Sequence, residues 1–213
     1  MRKALHVLGC SLFSLAPLLC VWSCAAAADV KVDARQAGSR VAIHMESDVK
    51  ASRATVWAVL TDYEGAPGWV PGMKQSRVLS RDGTQLTVSQ RGEADFLVFS
   101  MPVEAVLKVT ELPPDRISVK SLQGSFRFME GGYLLRTMPA GADKADVTRV
   151  EWTGQLEPDF DLPAFMTVSL VSRNVQMQFE GLIWEMERRE RVLDGLSAPP
   201  KPGVKITPRS GEL

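Results

Sequence analysis

From Arg40 to Val49 the residues Val41, Ile43, Met45, Ser47 and Val49 alternate with Arg40, Ala42, His44, Glu46 and Asp48. A period of two is that of a strand with one covered face and one wet face. Ser52 is a candidate N-cap for a short helix carrying Val56, Trp57, Val59 and Leu60, which must stop at the turn-rich run from Asp62 to Gly68. Lys74 to Ser80 reads as a strand entering Asp82-Gly83, a dipeptide that tolerates positive φ and favours a tight hairpin. The return strand sets Leu86, Val88, Gln90, Gly92, Ala94 and Phe96 on one face. A longer alternation follows through Leu97, Phe99, Met101, Val103, Ala105, Leu107 and Val109, with Pro102 expected at an edge or bulge. Beyond a turn at Pro113-Pro114-Asp115, Ile117, Val119 and Ser121 alternate in the next strand. Another strand runs from Phe128 to Thr137, with Gly131-Gly132 as a bulge or sharp bend. Ala140 to Asp146 reads as a hairpin loop, after which Val150, Trp152, Gly154 and Leu156 face inward from the last strand. The count is seven strands, six of them consecutive.

After Pro158 the period changes. Phe165, Val168, Val171, Val175, Phe179, Leu182, Met186 and Leu193 recur at three- and four-residue steps. They predict one amphipathic helix of about 30 residues, opened by Pro163 and ending near Gly195. A sheet and a helix that each carry one apolar face must cover one another. The expected fold is therefore α+β: a curved seven-stranded antiparallel sheet wrapped around a long C-terminal helix.

The N-terminus departs from this pattern. Arg2 and Lys3 precede an apolar run broken only by His6 and Pro17, and a small-residue stretch follows. These are the parts of a secretory signal peptide, with cleavage expected after Ala26-Ala27-Ala28. Two alternatives are a lipoprotein box at Val21-Trp22-Ser23-Cys24, with bulky Trp22 where a small residue is wanted, and an uncleaved anchor. Cleavage removes Cys10, Cys20 and Cys24, all the cysteines of the chain, so the mature domain offers no thiolate nucleophile and no cysteine metal site. Residues 1–28 are thus read as leader, 29–39 as a lead-in, 40–195 as the domain, and 196–213 as a proline-rich flexible tail. The expected location is the periplasm.

With 213 residues, 45% of them hydrophobic and 23% charged, the chain can bury a core and is not disordered throughout. Its 25 basic residues balance 25 acidic ones, and losing Arg2 and Lys3 leaves the remainder mildly acidic. That balance gives no electrostatic reason to expect nucleic acid as a partner. No stable membrane span is expected after cleavage, although transient membrane contact is compatible with the pattern. No cofactor or metal is called for: His44 is the one histidine left after cleavage and the alternation puts it on the outer face.

The element order, together with the segments Val49 to Glu64 and Pro67-Gly68-Trp69-Val70-Pro71-Gly72 and with Leu162-Pro163 opening the last helix, resembles the START/Bet v 1 helix-grip (SRPBCC) superfamily. Within it the polyketide cyclase/Coq10-like branch is most similar. The resemblance spans about Arg40 to Leu193 and implies a cavity between helix and sheet. Phe96, Phe99, Met101, Val119, Tyr133 and Trp152 on the sheet, with Met166, Val175 and Phe179 on the helix, would line it or simply fill a core. Tyr63 and Trp69 fall where the resembling proteins have a loop over the cavity mouth, as a lid or a structural plug. Gln90 is a candidate polar anchor, because a buried amide needs a partner. Asp159 and Asp161 suit the positive end of the long helix, and Glu185, Glu187, Arg188, Arg189, Glu190 and Arg191 read as its solvated end.

The inward faces hold almost no acid–base groups, so the expected function is binding of a hydrophobic small molecule of lipid, isoprenoid or quinone type. The alternatives are a cyclase or isomerase in which Tyr133 and Gln90 orient carbonyls, and a filled domain acting through its surface on a protein partner.

Overall fold

The structure is a computed structural model that describes residues 30–96, 99–139, 146–160, 163–199 and 201. Residues 1–29 with the three cysteines, Leu97, most of the loop from Ala140 to Asp146, Asp161 and residues 202–213 lie outside the described residues.

Eight antiparallel strands form one sheet. They are β1 (Lys31–Ala37), β2 (Arg40–Val49), β3 (Met73–Asp82), β4 (Gln85–Phe96), β5 (Phe99–Leu112), β6 (Arg116–Gly124), β7 (Phe126–Thr137) and β8 (Thr148–Pro158). Their spatial order is β1-β2-β8-β7-β6-β5-β4-β3, so β3 to β8 form a meander that returns to β2. The eighth strand corrects the sequence reading: the lead-in is β1, paired with β2 from Lys31↔Glu46 to Ala37↔Arg40. Its inward residues are only Val32 and Ala34, too short an alternation to stand out, yet both pack on the core. Gly83, at φ 56°, turns the hairpin between β3 and β4 as its Asp-Gly sequence requires. Pro102 pairs with Glu93 of β4, but β6 joins β5 only from Ala105 onward, so on that side the proline sits at a local edge.

The short helix α1 (Arg53–Leu60) starts at Ser52, whose hydroxyl accepts from the Thr55 N–H at 3.3 Å. The long helix α2 (Ala164–Leu193) starts after Pro163, which makes no side-chain cap. Asp159 does not serve as that cap; it accepts from Arg127 Nε at 2.8 Å instead. No described helix is long and apolar enough to cross a membrane.

The sheet curls around α2, which packs against β1 and β2 at one margin and β4 at the other. The covered faces bury Met45, Val49, Leu86, Val88, Val109, Ile117 and Val150 against Val56 of α1 and Ile183 and Met186 of α2. At roughly 1.5–3 kcal/mol for each fully buried aliphatic side chain, this contact is the main force closing the sheet. These core residues gather around the C-terminal half of α2. Toward its N-terminal half α2 still packs on β2 and β8, Val171 against Val41, Ile43 and Leu156, and a gap remains toward β4 and β5.

Candidate functional site: a cavity between sheet and helix

That gap forms a cavity of about 320 Å³, within the usual range for small-molecule sites. Val88, Val103, Ala105, Leu107 and Val109 wall it on the sheet, and Val171, Val175, Phe179 and Leu182 wall it on α2. Gln178 is exposed and also lines it from α2, while Arg91 and Glu93 border it from β4 with side chains paired to Glu104 and Lys74 on the outer face.

The aromatic wall explains two glycines. Gly131 and Gly154 face each other across β7 and β8 on the inner surface, and the Trp152 ring lies over both. A Cβ on Gly131 would stand 2.6 Å from Trp152 Cζ2, and one on Gly154 2.6 Å from Trp152 Cη2 and from the Glu130 carbonyl oxygen. No bulge occurs at Gly131-Gly132; both glycines stay in register. They are there for close approach, which keeps the indole flat on the sheet and out of the cavity. Phe179 meets Tyr133 edge-on, with centroids 6.0 Å apart at 69°, and tilts toward Trp152 at 6.3 Å. Enclosure raises the Tyr133 phenol above its ordinary pKa, so at neutral pH it stays an O–H donor.

The connection from α1 to β3, which includes a 3-10 turn at Ala66–Gly68, closes one side through Tyr63, Ala66, Val70 and Met73. Tyr63 donates its hydroxyl proton to Glu111 Oε1 at 2.9 Å, and Glu111 also accepts from Arg81 Nη1 at 2.9 Å and Nη2 at 3.3 Å. Burial and the Glu111 carboxylate push the Tyr63 pKa up. Glu111 is 7% exposed, so Arg81 is what makes its charge tolerable there. Arg81→Met is expected to cost about 2–3 kcal/mol, the low end for breaking a buried pair because Arg81 itself is half exposed. Chemical denaturation checks this, and Tyr63→Phe should cost only about 1 kcal/mol.

The same connection is seated on α2. Gly181 touches the Trp69 carbonyl so closely that a Cβ there would collide with it, and Pro71 Cδ would lie 2.6 Å away. Arg189 donates from Nη2 to Asp62 Oδ2 at 2.7 Å, and its guanidinium lies 4.7 Å from the Trp69 ring centroid. Glu185 accepts from Arg189 Nε at 2.7 Å and from Arg188 at 2.6 and 2.8 Å. The end of α2 is therefore not merely solvated: Glu185 is 2% exposed, Glu187 accepts from the Lys50 N–H at 3.3 Å, and Glu190 from Ser52 Oγ at 3.0 Å. The start of the expected flexible tail is also tied down. Ser197 and Pro199 carbonyls accept from Arg191 Nε and Trp184 Nε1, and Lys201 reaches the Gly68 carbonyl at 3.3 Å.

Burial opposes ionisation of Glu185, but its hydrogen bonds to Arg188 and Arg189 outweigh that, so its pKa lies below the ordinary 4.5. The stabilisation is complete above that ordinary value and is lost as pH falls through the lower folded one. Glu185→Gln is expected to lower stability at neutral pH by about 2 kcal/mol. It should also flatten the acid limb of a Tm-against-pH curve, which differential scanning calorimetry would read.

Of the residues singled out from sequence, Tyr63, Gln90, Val119, Tyr133, Trp152, Val175 and Phe179 line the cavity. Met101 and Met166 are half-buried but do not line it. Trp69 does not line it either; its ring lies under the Arg189 guanidinium. Its indole Nε1 is buried without a partner. Phe96 and Phe99 pair across β4 and β5, and their side chains lie outside the described residues. Gln90 Nε2 reaches Ser76 Oγ only at 3.5 Å. His44 is exposed, with Nδ1 3.0 Å from Thr153 Oγ1. Among the described residues no three His, Cys, Asp or Glu side chains come together as a metal site. Sequence reasoning missed Glu111 and Gly181, and read Glu185 as solvated where it is buried. Glu111 had a signal: it shares the parity of Val109 on the inner face of β5.

Residues 49–182 match the family described as polyketide cyclase/dehydrase and lipid transport. No curated protein matches the sequence. Among solved structures, the chain is similar to the Zhui aromatase/cyclase from a Streptomyces species, with a TM-score of 0.62 at 17% identity over 72% of this chain and 98% of that one. It is also similar to a STAR-related lipid transfer protein from Xanthomonas axonopodis, at 0.58 and 16% over 75% and 98%. A START superfamily protein from Mycobacterium smegmatis gives 0.55 and 21% over 71% and 98%. At such identities the structural likeness shows the helix-grip fold, and the sequence match carries the assignment: this chain belongs to the polyketide cyclase/dehydrase and lipid transport family.

Proposed function

We propose that the protein is an exported, non-enzymatic binder of a hydrophobic small molecule of lipid, isoprenoid or quinone type, released to the periplasm by cleavage near Ala28. The observation that carries this reading is the lining of the cavity: aliphatic and aromatic side chains, with its charged groups already engaged. Such a wall gains free energy by covering apolar ligand surface and has no acid–base pair poised over it. An open cavity also argues against the filled-core alternative. The names of the structural neighbours, a lipid transfer protein and an aromatase/cyclase, fit an apolar ligand.

The test is native mass spectrometry with organic extraction on protein from the periplasm of its own host. A co-purifying apolar molecule near one per chain is expected. Apo protein that also refuses lipid and quinone probes would overturn the reading. A cyclase or isomerase is the second reading, favoured by a Tyr133 hydroxyl that has no hydrogen-bond partner among the described residues; there Tyr133→Phe would abolish turnover without unfolding the domain.

A further inference from the structure

The polar groups of the cavity are not equivalent. Tyr63 gives its proton to Glu111, Asp62 is held by Arg189 and by the Gly65 N–H, and Asn174 clamps the end of β4 through the Asp95 carbonyl and N–H. Arg91 stands exposed, 3.4 Å from Glu104. Tyr133 differs from all of these. It lines the cavity, and its hydroxyl has no hydrogen-bond partner among the described residues. Its ring is fixed edge-on against Phe179 and stands opposite Trp152 in the β7–β8 register. The hydroxyl is thus a neutral donor bordering a largely apolar cavity.

Tyr133 is half-buried, and a hydrocarbon that covered its hydroxyl would leave that donor unpaired at a cost of about 1–3 kcal/mol, which a ligand acceptor avoids. Among the described lining residues the one cation is Arg91, and it is paired with Glu104. A carboxylate or phosphate at the Tyr133 end would therefore be desolvated without a counter-charge. We infer that the ligand enters with an uncharged acceptor, a carbonyl or similar oxygen, leading to Tyr133, while its apolar remainder points back toward Gln178. This orientation is the reverse of a charged headgroup left at the Gln178 end. It rests on the proposed binding function and adds polarity and direction to it.

A matched set of probes tests the inference by calorimetric titration: 2-acetylnaphthalene, 2-ethylnaphthalene and 2-naphthoate. The wild-type protein is expected to bind the ketone about tenfold more tightly than the hydrocarbon, the worth of one recovered hydrogen bond, and the naphthoate more weakly than either. Tyr133→Phe should erase the ketone preference, the ratio of ketone to hydrocarbon affinity falling by about tenfold. Isotope-edited infrared spectroscopy should show the bound ketone stretch lowered in the wild type and restored in the variant. Equal affinities in the wild type, a ketone preference that survives Tyr133→Phe, or naphthoate binding tightest would overturn the inference while leaving apolar binding in place. Failure of the wild type to bind any probe would overturn the binding function itself.

Discussion

Gly154→Val is expected to lower the unfolding free energy by about 3 kcal/mol and to abolish binding of apolar probes. The position has no room: a Cβ would lie 2.6 Å from the Glu130 carbonyl oxygen and 2.8 Å from Gly131 Cα, both backbone atoms that no rotamer change can move. Overpacking of this kind costs about 1–3 kcal/mol, and the backbone contacts place this case at the upper end. The Trp152 ring, 2.6 Å from the same point, must then swing off the sheet, and the cavity is the space beside it. Stability and binding should fall together. Urea denaturation alongside fluorescent-probe titration reads both; a variant that loses stability but keeps its probe affinity would show that Trp152 does not shape the cavity.

Gly181→Val is expected to act on the connection from α1 to β3. The new side chain would strike the Trp69 carbonyl and Pro71, so residues 69–71 must lift from α2 and strain the Arg189 contacts to Asp62 and Trp69. A cost of about 2 kcal/mol is expected, after allowing for the few tenths by which valine exceeds glycine in helix propensity. The larger effect should be kinetic. With the wall at Ala66, Val70 and Met73 loosened, probe dissociation should speed up by about tenfold or more. Stopped-flow release measures this, and an unchanged off-rate would mean that the ligand leaves only past Gln178.

Much of the fold was legible because its two periods are clean. Met45, Val88, Val109 and Val150 lie on alternations that a reader of the sequence can count, and Phe179 and Met186 on a helical stripe. β1 was not legible, since Val32 and Ala34 are covered only because α2 happens to pass over that margin. The site divides in the same way. Parity identified Tyr133, Trp152 and Gln90 as inward, but it cannot separate a residue that fills a core from one that borders a cavity. Met101 shares the parity of Val103, yet only Val103 lines the cavity.

The sequence by itself determined the alternating strands, the long helix, their order and hence the family, because periodicity and turn residues are local properties. Only the tertiary structure decided where sheet and helix part to leave a cavity. It alone decided that Glu111 and Glu185 are buried beside arginines, and that Gly154 and Gly181 are empty for the sake of Trp152 and Trp69. Those are distances between residues far apart in the chain, Trp69 to Arg189 and Arg81 to Glu111 among them. No local pattern encodes such distances, because they are set by how the whole sheet bends around the helix.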